Sequence, residues 1–186
     1  LLDDRLDDLP GPAADVLRTA CVAGQRLDLA LLEAIHGHLA KPLLDQLIVR
    51  GLLVVEDGAY SFRHALVREA AYDRLTPTER RERHAAVADW LESTQVDLTA
   101  HHATLADHWY EADMLDKAVA HADLAGKRAL ATGAWAEAIR FYERCLNLEP
   151  HSPSRSAPRS RRCDGDDASP KRSTASATSA RAGSRP

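Results

Sequence analysis

The sequence predicts a mainly α-helical fold, in which three short helices and a β-hairpin precede helical hairpins and a disordered tail. Leu and Ala carry most of the apolar content, and only two Phe and four Tyr are present among 186 residues. Such a composition favours helices, because Leu and Ala lose little side-chain freedom there. The apolar spacing becomes strand-like around Asp57-Gly58, and residues 151–186 contain no Leu, Ile, Val, Phe, Tyr or Trp. These two patterns predict the hairpin and the tail.

The first 50 residues predict four helical segments. Residues 1–11 read as the end of an upstream helical subdomain, because leucines at helical spacing precede a Pro-Gly-Pro break. A second helix is predicted from Pro12, since proline suits a first helical turn. Asp28 is predicted to cap a third helix. Residues 41–50 form the fourth, with their leucines facing inward.

A β-hairpin is predicted after these helices. Two β-rich arms surround Asp57-Gly58, a dipeptide that favours tight hairpin turns because both turn positions need positive φ. Alternation places three residues of the second arm on one face, namely Tyr60, Phe62 and His64. Three helices followed by a hairpin make the winged-helix pattern, so residues 12–75 are predicted to form a winged-helix domain.

The remaining sequence predicts long helices and then disorder. Residues 76–98 are predicted to form a linking helix that Thr78 caps. Residues 99–150 alternate Ala-rich helices with breaks at Asp113 and Gly133. Residues 151–186 are rich in Ser, Arg, Ala and Pro, and cannot bury enough apolar surface to offset their ordering entropy. We hypothesise that this basic tail is an out-of-frame end, since further repeats are expected in its place.

The segment that begins at Gly133 resembles the second helix of a tetratricopeptide repeat. The resemblance rests on a turn glycine, an aromatic residue after it and a closing proline, with small and aromatic residues between, namely Gly133, Trp135, Ala138, Tyr142, Cys145 and Pro150. One helix earlier, Gly126 stands at the small position where paired helices approach closely. The resemblance implies that residues 99–150 are repeats that bind a protein partner through Gly126, Trp135, Ala138 and Tyr142.

Three longer stretches carry a second resemblance: FRHALVREAAYDRL, TERRERHAAVADWLE, and LADHWYEADMLDKAVAHADLAGKRALATGAWAEAIRFYERCLNLEP. In this order they resemble the region downstream of the NTPase module in bacterial multidomain signalling ATPases of the AAA or NB-ARC type. The output domain of those proteins is a class III adenylate cyclase or a LuxR-type DNA-binding domain, and LADHW and AGKRAL are more similar to the cyclase-fused members.

The resemblance spans about residues 1–150. It implies a cytoplasmic, non-catalytic regulatory fragment that couples nucleotide state to output. ATP or ADP would be bound by an upstream NTPase module rather than by this chain. That module and a protein bound to the repeats are the expected partners.

His64 is the candidate sensor of nucleotide. NB-ARC relatives carry a Met-His-Asp motif just after the wing, and its histidine contacts the β-phosphate of ADP. RHAL stands at that place here, with Arg63 for the methionine and Ala65 for the aspartate. The resemblance implies that His64 and Arg63 sense nucleotide. The alternative interpretation is that His64 continues the apolar face of the hairpin and packs against the following helix.

Other classes of site lack their sequence patterns. No GxxxxGK[ST], GxGxxG or GxSxG motif occurs, so the chain is not expected to be an enzyme. The histidines of the second half lack zinc-ligand spacing and are predicted to be solvated or at helix ends: His101, His102, His108 and His121. Three distant cysteines predict neither disulfides nor a zinc site. No membrane span or signal sequence is recognisable. Since Met114 is the only methionine, the chain is expected to be a fragment or a processed product.

The alternative function is DNA binding, by a winged-helix protein or a fragment of a LuxR-type transcriptional regulator. Residues 41–50 would then be the recognition helix. Its outward side chains, Lys41, Asp45, Gln46 and Arg50, sum to a charge of +1, and residues 1–150 carry −9 against +5 for the tail. A helix that enters a DNA groove normally brings more basic residues, so DNA is not the expected partner.

Two sets of side chains are assigned structural roles. The arginines of the linking helix are predicted to form a solvated face with ion pairs inside the helix: Arg80, Arg81 and Arg83. The tryptophans are predicted to anchor the packing of successive helices: Trp90, Trp109 and Trp135.

Overall fold

The structure, a computed structural model, describes residues 2–148 except residues 57 and 96. This part of the chain is mainly helical and contains a small three-stranded antiparallel sheet. The predicted tail, 151–186, lies outside the described residues. So does Asp57 of the predicted turn.

The first half of the chain alternates short helices with short strands. The elements are α1 (Leu2–Asp7), α2 (Gly11–Ala23), β1 (Arg26–Leu27), α3 (Leu29–His36), a 3-10 helix (Gly37–Leu39), α4 (Ala40–Val49), β2 (Leu53–Glu56) and β3 (Ala59–Phe62). The helices predicted before the hairpin are therefore present.

The second half contains longer helices. Its elements are α5 (Ala65–Asp73), α6 (Pro77–Thr94), a 3-10 helix (Leu98–Ala100), α7 (His102–Glu111), α8 (Leu115–Ala131) and α9 (Trp135–Leu148). The breaks predicted on either side of α8 are confirmed, since Asp113 and Gly133 both adopt positive φ, at 62° and 75°. Within the described residues no helix is long and apolar enough to cross a bilayer.

The sheet contains one strand that the sequence analysis missed. β2 and β3 form the expected antiparallel hairpin, in which Leu53 is opposite Phe62 and Glu56 is opposite Ala59. β1 pairs with the other edge of β3, so the strand order is β1-β3-β2. β1 has only two residues, too few for a period-two pattern, and its hydrogen bonds with β3 are what make it a strand.

The main core is formed by the elements from α1 through α6, including the sheet, and is built mostly from Leu and Val. Leu32, Leu44 and Leu53 are fully buried, and Phe62 of β3 is 2% exposed. Val87 brings α6 into the same cluster. Because each buried aliphatic or aromatic side chain stabilises the fold by about 1.5–3 kcal/mol, this core fixes the sheet and the first six helices together.

One predicted cap is correct and one is wrong. Asp28 caps α3, because its Oδ1 accepts a hydrogen bond of 2.8 Å from the Ala30 N–H. Thr76, not Thr78, caps α6. Its hydroxyl accepts from the Glu79 N–H, and the Glu79 carboxylate accepts from the Thr76 N–H, at 3.2 and 2.9 Å. The helix begins at Pro77, which suits a first turn, so the cap falls one residue before the proline.

The helices after α6 pack through smaller side chains. α6 meets α7 and α8 in a cluster of Ala88, Leu105, Trp109, Ala112 and Ala118. A third, smaller cluster joins α7, α8 and α9 through Ala106, Ala122 and Cys145. The attachment of α7–α9 to α6 therefore buries less apolar surface than the core of the first half.

Candidate functional site

The predicted nucleotide-sensing residues lie at the junction between β3 and α5. β3 ends at Phe62 and α5 begins at Ala65. His64 occupies the N-cap position of α5 with an extended backbone, φ −142° and ψ 143°, and its ring makes no capping hydrogen bond. Arg63 and His64 are both exposed. The alternative interpretation, in which His64 packs between the hairpin and the helix, is therefore wrong.

We call three exposed side chains at this point the junction surface: Arg63, His64 and Leu66. Leu66 is 69% exposed although the next residue, Val67, is buried. The backbone beneath is fixed, because the Arg63 N–H donates a hydrogen bond of 3.1 Å to the Leu52 carbonyl. The junction surface therefore has a fixed backbone and combines the apolar side chain of Leu66 with the hydrogen-bonding side chains of Arg63 and His64.

Positive charge gathers beside the junction surface, around Gly51. The Arg5 guanidinium donates a hydrogen bond to the Arg50 carbonyl. A Cβ added to Gly51 would lie 2.8 Å from Arg5 Nη2 and 3.9 Å from Arg63 Nε. Gly51 also has φ +67°, where L side chains are strained. The glycine therefore lets guanidinium groups from α1 and from the end of β3 approach the same point of the chain.

The chemistry of this surface suits an anionic group. Guanidinium and imidazole N–H groups form short, strong hydrogen bonds with phosphate or carboxylate oxygens. Across residues 2–148, outside the two gaps, no group of three or more His, Cys, Asp or Glu side chains could hold a metal ion.

Three of the four predicted protein-binding residues lie in the contact between α8 and α9. A Cβ on Gly126 would lie 3.0 Å from Tyr142 Cζ, and Ala138 is 1% exposed. Trp135, the fourth, is 66% exposed at the start of α9. The prediction that Trp135 anchors helix packing is wrong, whereas Trp109 is buried as predicted.

α9 presents an apolar stripe, which we define as Trp135, Ile139 and Leu146. Their side chains are 66%, 57% and 67% exposed. Their spacing of four and seven residues puts them on one face of the helix. Solvent-facing large side chains in a row mark a surface that can bind another protein.

A buried histidine pair joins α5, α6 and α7. His84 Nδ1 lies 2.9 Å from His108 Nδ1, and the Tyr72 hydroxyl lies 3.0 Å from His84 Nε2. Both histidines are 7% exposed. His108 lies in the last turn of α7, in agreement with the helix-end prediction, but it is buried and not solvated.

A second polar cluster joins α6, α7 and α8 around Glu92. Glu92 Oε1 accepts hydrogen bonds from Trp109 Nε1 and His121 Nε2, at 2.8 and 2.9 Å. His121 Nδ1 in turn lies 3.0 Å from His102 Nδ1. Lys117 Nζ lies 3.6 Å from Glu92 Oε2 and 3.5 Å from the centre of the Trp109 ring.

The two clusters shift pKa values in ways that follow from their surroundings. Burial, the charge of His108 and two arginines lower the pKa of His84 to about 4. Burial also lowers the pKa of His108. For Glu92, burial raises the pKa, but hydrogen bonds from His121 and Trp109 and the charge of Lys117 outweigh it, so the pKa falls below its ordinary value.

The arginines of α6 form ion pairs with other elements, not within their own helix. Arg83 pairs with Asp15 of α2 and donates a hydrogen bond of 2.6 Å to the Thr19 hydroxyl. Arg81 pairs with Asp113 before α8, at 3.4 Å. The predicted solvated face with intrahelical pairs is therefore wrong, and these arginines connect α6 to its neighbours.

The buried histidine pair was not predicted, although the sequence carries a signal for each of its members. His84 precedes the buried Ala88 by four residues, and His108 follows the buried Leu105 by three. A histidine at that spacing shares the apolar face of its helix. What the pattern cannot show is that the two rings meet, because that depends on how α6 and α7 cross.

Comparison with known proteins gives one match. No family model matches the sequence, and no solved structure matches it. An uncharacterized protein of Rhizobium meliloti (strain 1021) is 31% identical over 166 residues. The match covers 80% of this chain but only 15% of that protein. The chain is thus similar to a small part of a much longer protein.

Proposed function

We propose that this chain is a non-catalytic regulatory module of a nucleotide-switched signalling ATPase, of the type associated with adenylate cyclases. It couples the nucleotide state of an upstream NTPase module to a partner bound by its helical repeats. The observation that carries the proposal is the exposure of Arg63 and His64, directly after a strand whose last residue, Phe62, is buried.

The order of elements supports a winged-helix assignment for residues 12–75. β1 lies between α2 and α3, α4 follows, and the β2–β3 hairpin completes a sheet of order β1-β3-β2. This is the order expected of a winged helix, with the hairpin as its wing. α7, α8 and α9, each in contact with the next, support the assignment of residues 99–150 as repeats of the tetratricopeptide type.

The junction surface has the chemistry that coupling needs. Arg63 and His64 can donate hydrogen bonds to a nucleotide phosphate in one state of the NTPase module, while Leu66 packs against that module. Coupling requires contacts that differ between the two nucleotide states. A phosphate that is present in one state and displaced in the other would provide that difference.

The apolar stripe on α9 is the proposed protein-binding surface. It combines an exposed tryptophan with two exposed aliphatic side chains, and tryptophan is over-represented among the residues that dominate binding energy at interfaces. Gly126, Ala138 and Tyr142 contribute indirectly, because their packing holds α9 against α8.

The test uses the proposed full-length protein, in which this chain follows an NTPase module, and compares His64→Ala with His38→Ala. His38 is an exposed histidine in the 3-10 helix before α4 and is the matched control. ADP retained after gel filtration is the readout. We expect His64→Ala to weaken ADP binding about tenfold, the usual effect of losing a hydrogen bond to a charged group, and His38→Ala to leave it unchanged. Equal retention in both variants would contradict the proposal.

The DNA-binding alternative is separated from the proposal by a second measurement. Lys41, Asp45, Gln46 and Arg50 are exposed on and just after α4, and their charges sum to +1. We expect the 186-residue chain to bind duplex DNA only weakly near physiological salt, through the +5 charge of residues 151–186. Tight binding that weakens steeply with added salt would favour a DNA-binding regulator.

A further inference from the structure

We propose that the buried His84–His108 pair makes the contact between α6 and α7 acid-labile, so that mild acidification releases α7–α9 while α1–α6 stay folded. This inference does not depend on the proposed function. It concerns the joint between the two helical parts of the chain and rests on the arrangement of Tyr72, His84 and His108.

The facing nitrogens of the two histidines can form a hydrogen bond only when at least one of the rings is neutral. In the arrangement that completes the network, the Tyr72 hydroxyl donates to His84 Nε2, and His84 Nδ1–H donates to His108 Nδ1, over distances of 3.0 and 2.9 Å. After one proton is added to the pair, one Nδ1 can still donate a hydrogen bond to the other. A second proton places two N–H donors and two positive charges against each other in a site closed to water.

The surroundings of the pair do not compensate for added charge. The charged and titratable groups that face it from the neighbouring elements are Arg68 and Tyr72 of α5, Arg80 of α6 and Asp107 of α7, while Cys21 of α2 and Glu111 of α7 act on Tyr72. Two are arginines, and the carboxylate of Asp107 pairs with Arg144. By contrast, His121 of the His102–His121 pair is in direct contact with a carboxylate, that of Glu92, at 2.9 Å.

The direction of the pH effect follows from the lowered pKa values. Above the ordinary histidine pKa of 6.5 both rings are neutral in the folded and the unfolded chain. As pH falls from 6.5 to about 4, the unfolded chain takes up protons that folded His84 excludes, so stability is lost in that window. The loss is largest where the pair lies, at the contact between α6 and α7.

Local release is expected because α6 contacts α7 through a smaller apolar cluster than the core that it shares with α1–α5. Toward α2 and α3, α6 belongs to a core rich in Leu and Val. Toward α7 it belongs to a smaller cluster of three alanines with Leu105 and Trp109. Loss of the histidine pair thus weakens the contact between α6 and α7 directly, whereas neither histidine belongs to the apolar core of α1–α6.

The first test measures stability against pH. Urea unfolding of the 186-residue chain is followed at several pH values between about 7.5 and 4.5, for the wild type and for His84→Gln combined with His108→Gln. Glutamine retains hydrogen-bonding groups but does not titrate. We expect the unfolding equilibrium constant of the wild type to rise as the pH falls. Each histidine that is protonated only in the unfolded chain contributes up to about a tenfold rise per unit of pH decrease. The double variant should lose the share of this slope that His84 and His108 contribute, and keep the share of His36 and His102, whose pKa values burial also lowers.

The control is a histidine variant at an exposed position, and the second readout is an NMR titration of the wild type. His38→Gln, at an exposed position, should retain the wild-type slope. If the double variant does not fold, imidazole nitrogen shifts of the wild type, recorded by NMR during a pH titration, replace it. Titration of His84 at its ordinary pKa would overturn the proposal, as would an unchanged slope in a folded double variant.

Hydrogen exchange distinguishes local release from global unfolding. After correction for the pH dependence of intrinsic exchange, amides of α7 and α8 should lose protection near pH 5 while those of α2 and α4 keep it. Simultaneous loss of protection in all four helices would overturn the proposed release of α7–α9.

Discussion

Gly126 of α8 lies under the ring of Tyr142 of α9, and a Cβ on the glycine would lie 3.0 Å from Tyr142 Cζ. We expect Gly126→Leu to reduce the free energy of unfolding by about 2 kcal/mol, because the larger side chain forces α8 and α9 apart. The double variant Gly126→Leu with Tyr142→Ala should recover part of that loss, since the ring no longer occupies the space. Urea unfolding of the single and double variants measures the coupling, and strictly additive effects would contradict the close contact.

Arg83 connects α6 to α2, and its replacement should be costly. Its guanidinium pairs with Asp15 and donates to Thr19, and its side chain is 17% exposed. We expect Arg83→Ala to destabilise the fold by about 2 kcal/mol, because it removes hydrogen bonds to Asp15 and Thr19 in a partly buried site and leaves only His36 beside them. Arg81→Ala is the matched control, since the Arg81 side chain is 50% exposed and its pair with Asp113 should contribute less than about 1 kcal/mol. Similar losses in thermal unfolding for both variants would refute this ranking.

The N-terminus of α6 offers a test of which threonine caps the helix. Thr76→Ala removes the hydroxyl that accepts from Glu79, and we expect it to cost about 1 kcal/mol of unfolding free energy. Thr78→Ala, at an exposed position inside the first turn, should change stability by less than about 0.5 kcal/mol. Chemical denaturation measures both variants. A larger loss of stability for Thr78→Ala than for Thr76→Ala would contradict the assignment of Thr76 as the cap.

Stability measurements check the exposed position of His64 without any nucleotide. Because His64 is exposed, His64→Ala should change the free energy of unfolding by less than about 0.5 kcal/mol. Phe62→Ala, two residues earlier in the buried strand, should cost about 3 kcal/mol. Thermal or urea unfolding of the isolated chain measures both variants, and a loss above about 1 kcal/mol for His64→Ala would contradict the exposed position.

The sequence by itself determined the order and approximate bounds of the helices and the hairpin, the Asp28 cap, and the breaks at Asp113 and Gly133. These features depend on contacts within a few residues: apolar spacing, a short capping side chain, a positive φ. Only the tertiary structure decided that β1 is a strand and that Arg83 pairs with Asp15. It also decided that His84 meets His108 and that His64 faces solvent. Each of these features depends on how two segments that are distant in sequence lie relative to each other. The local pattern of either segment carries no information about that relative position.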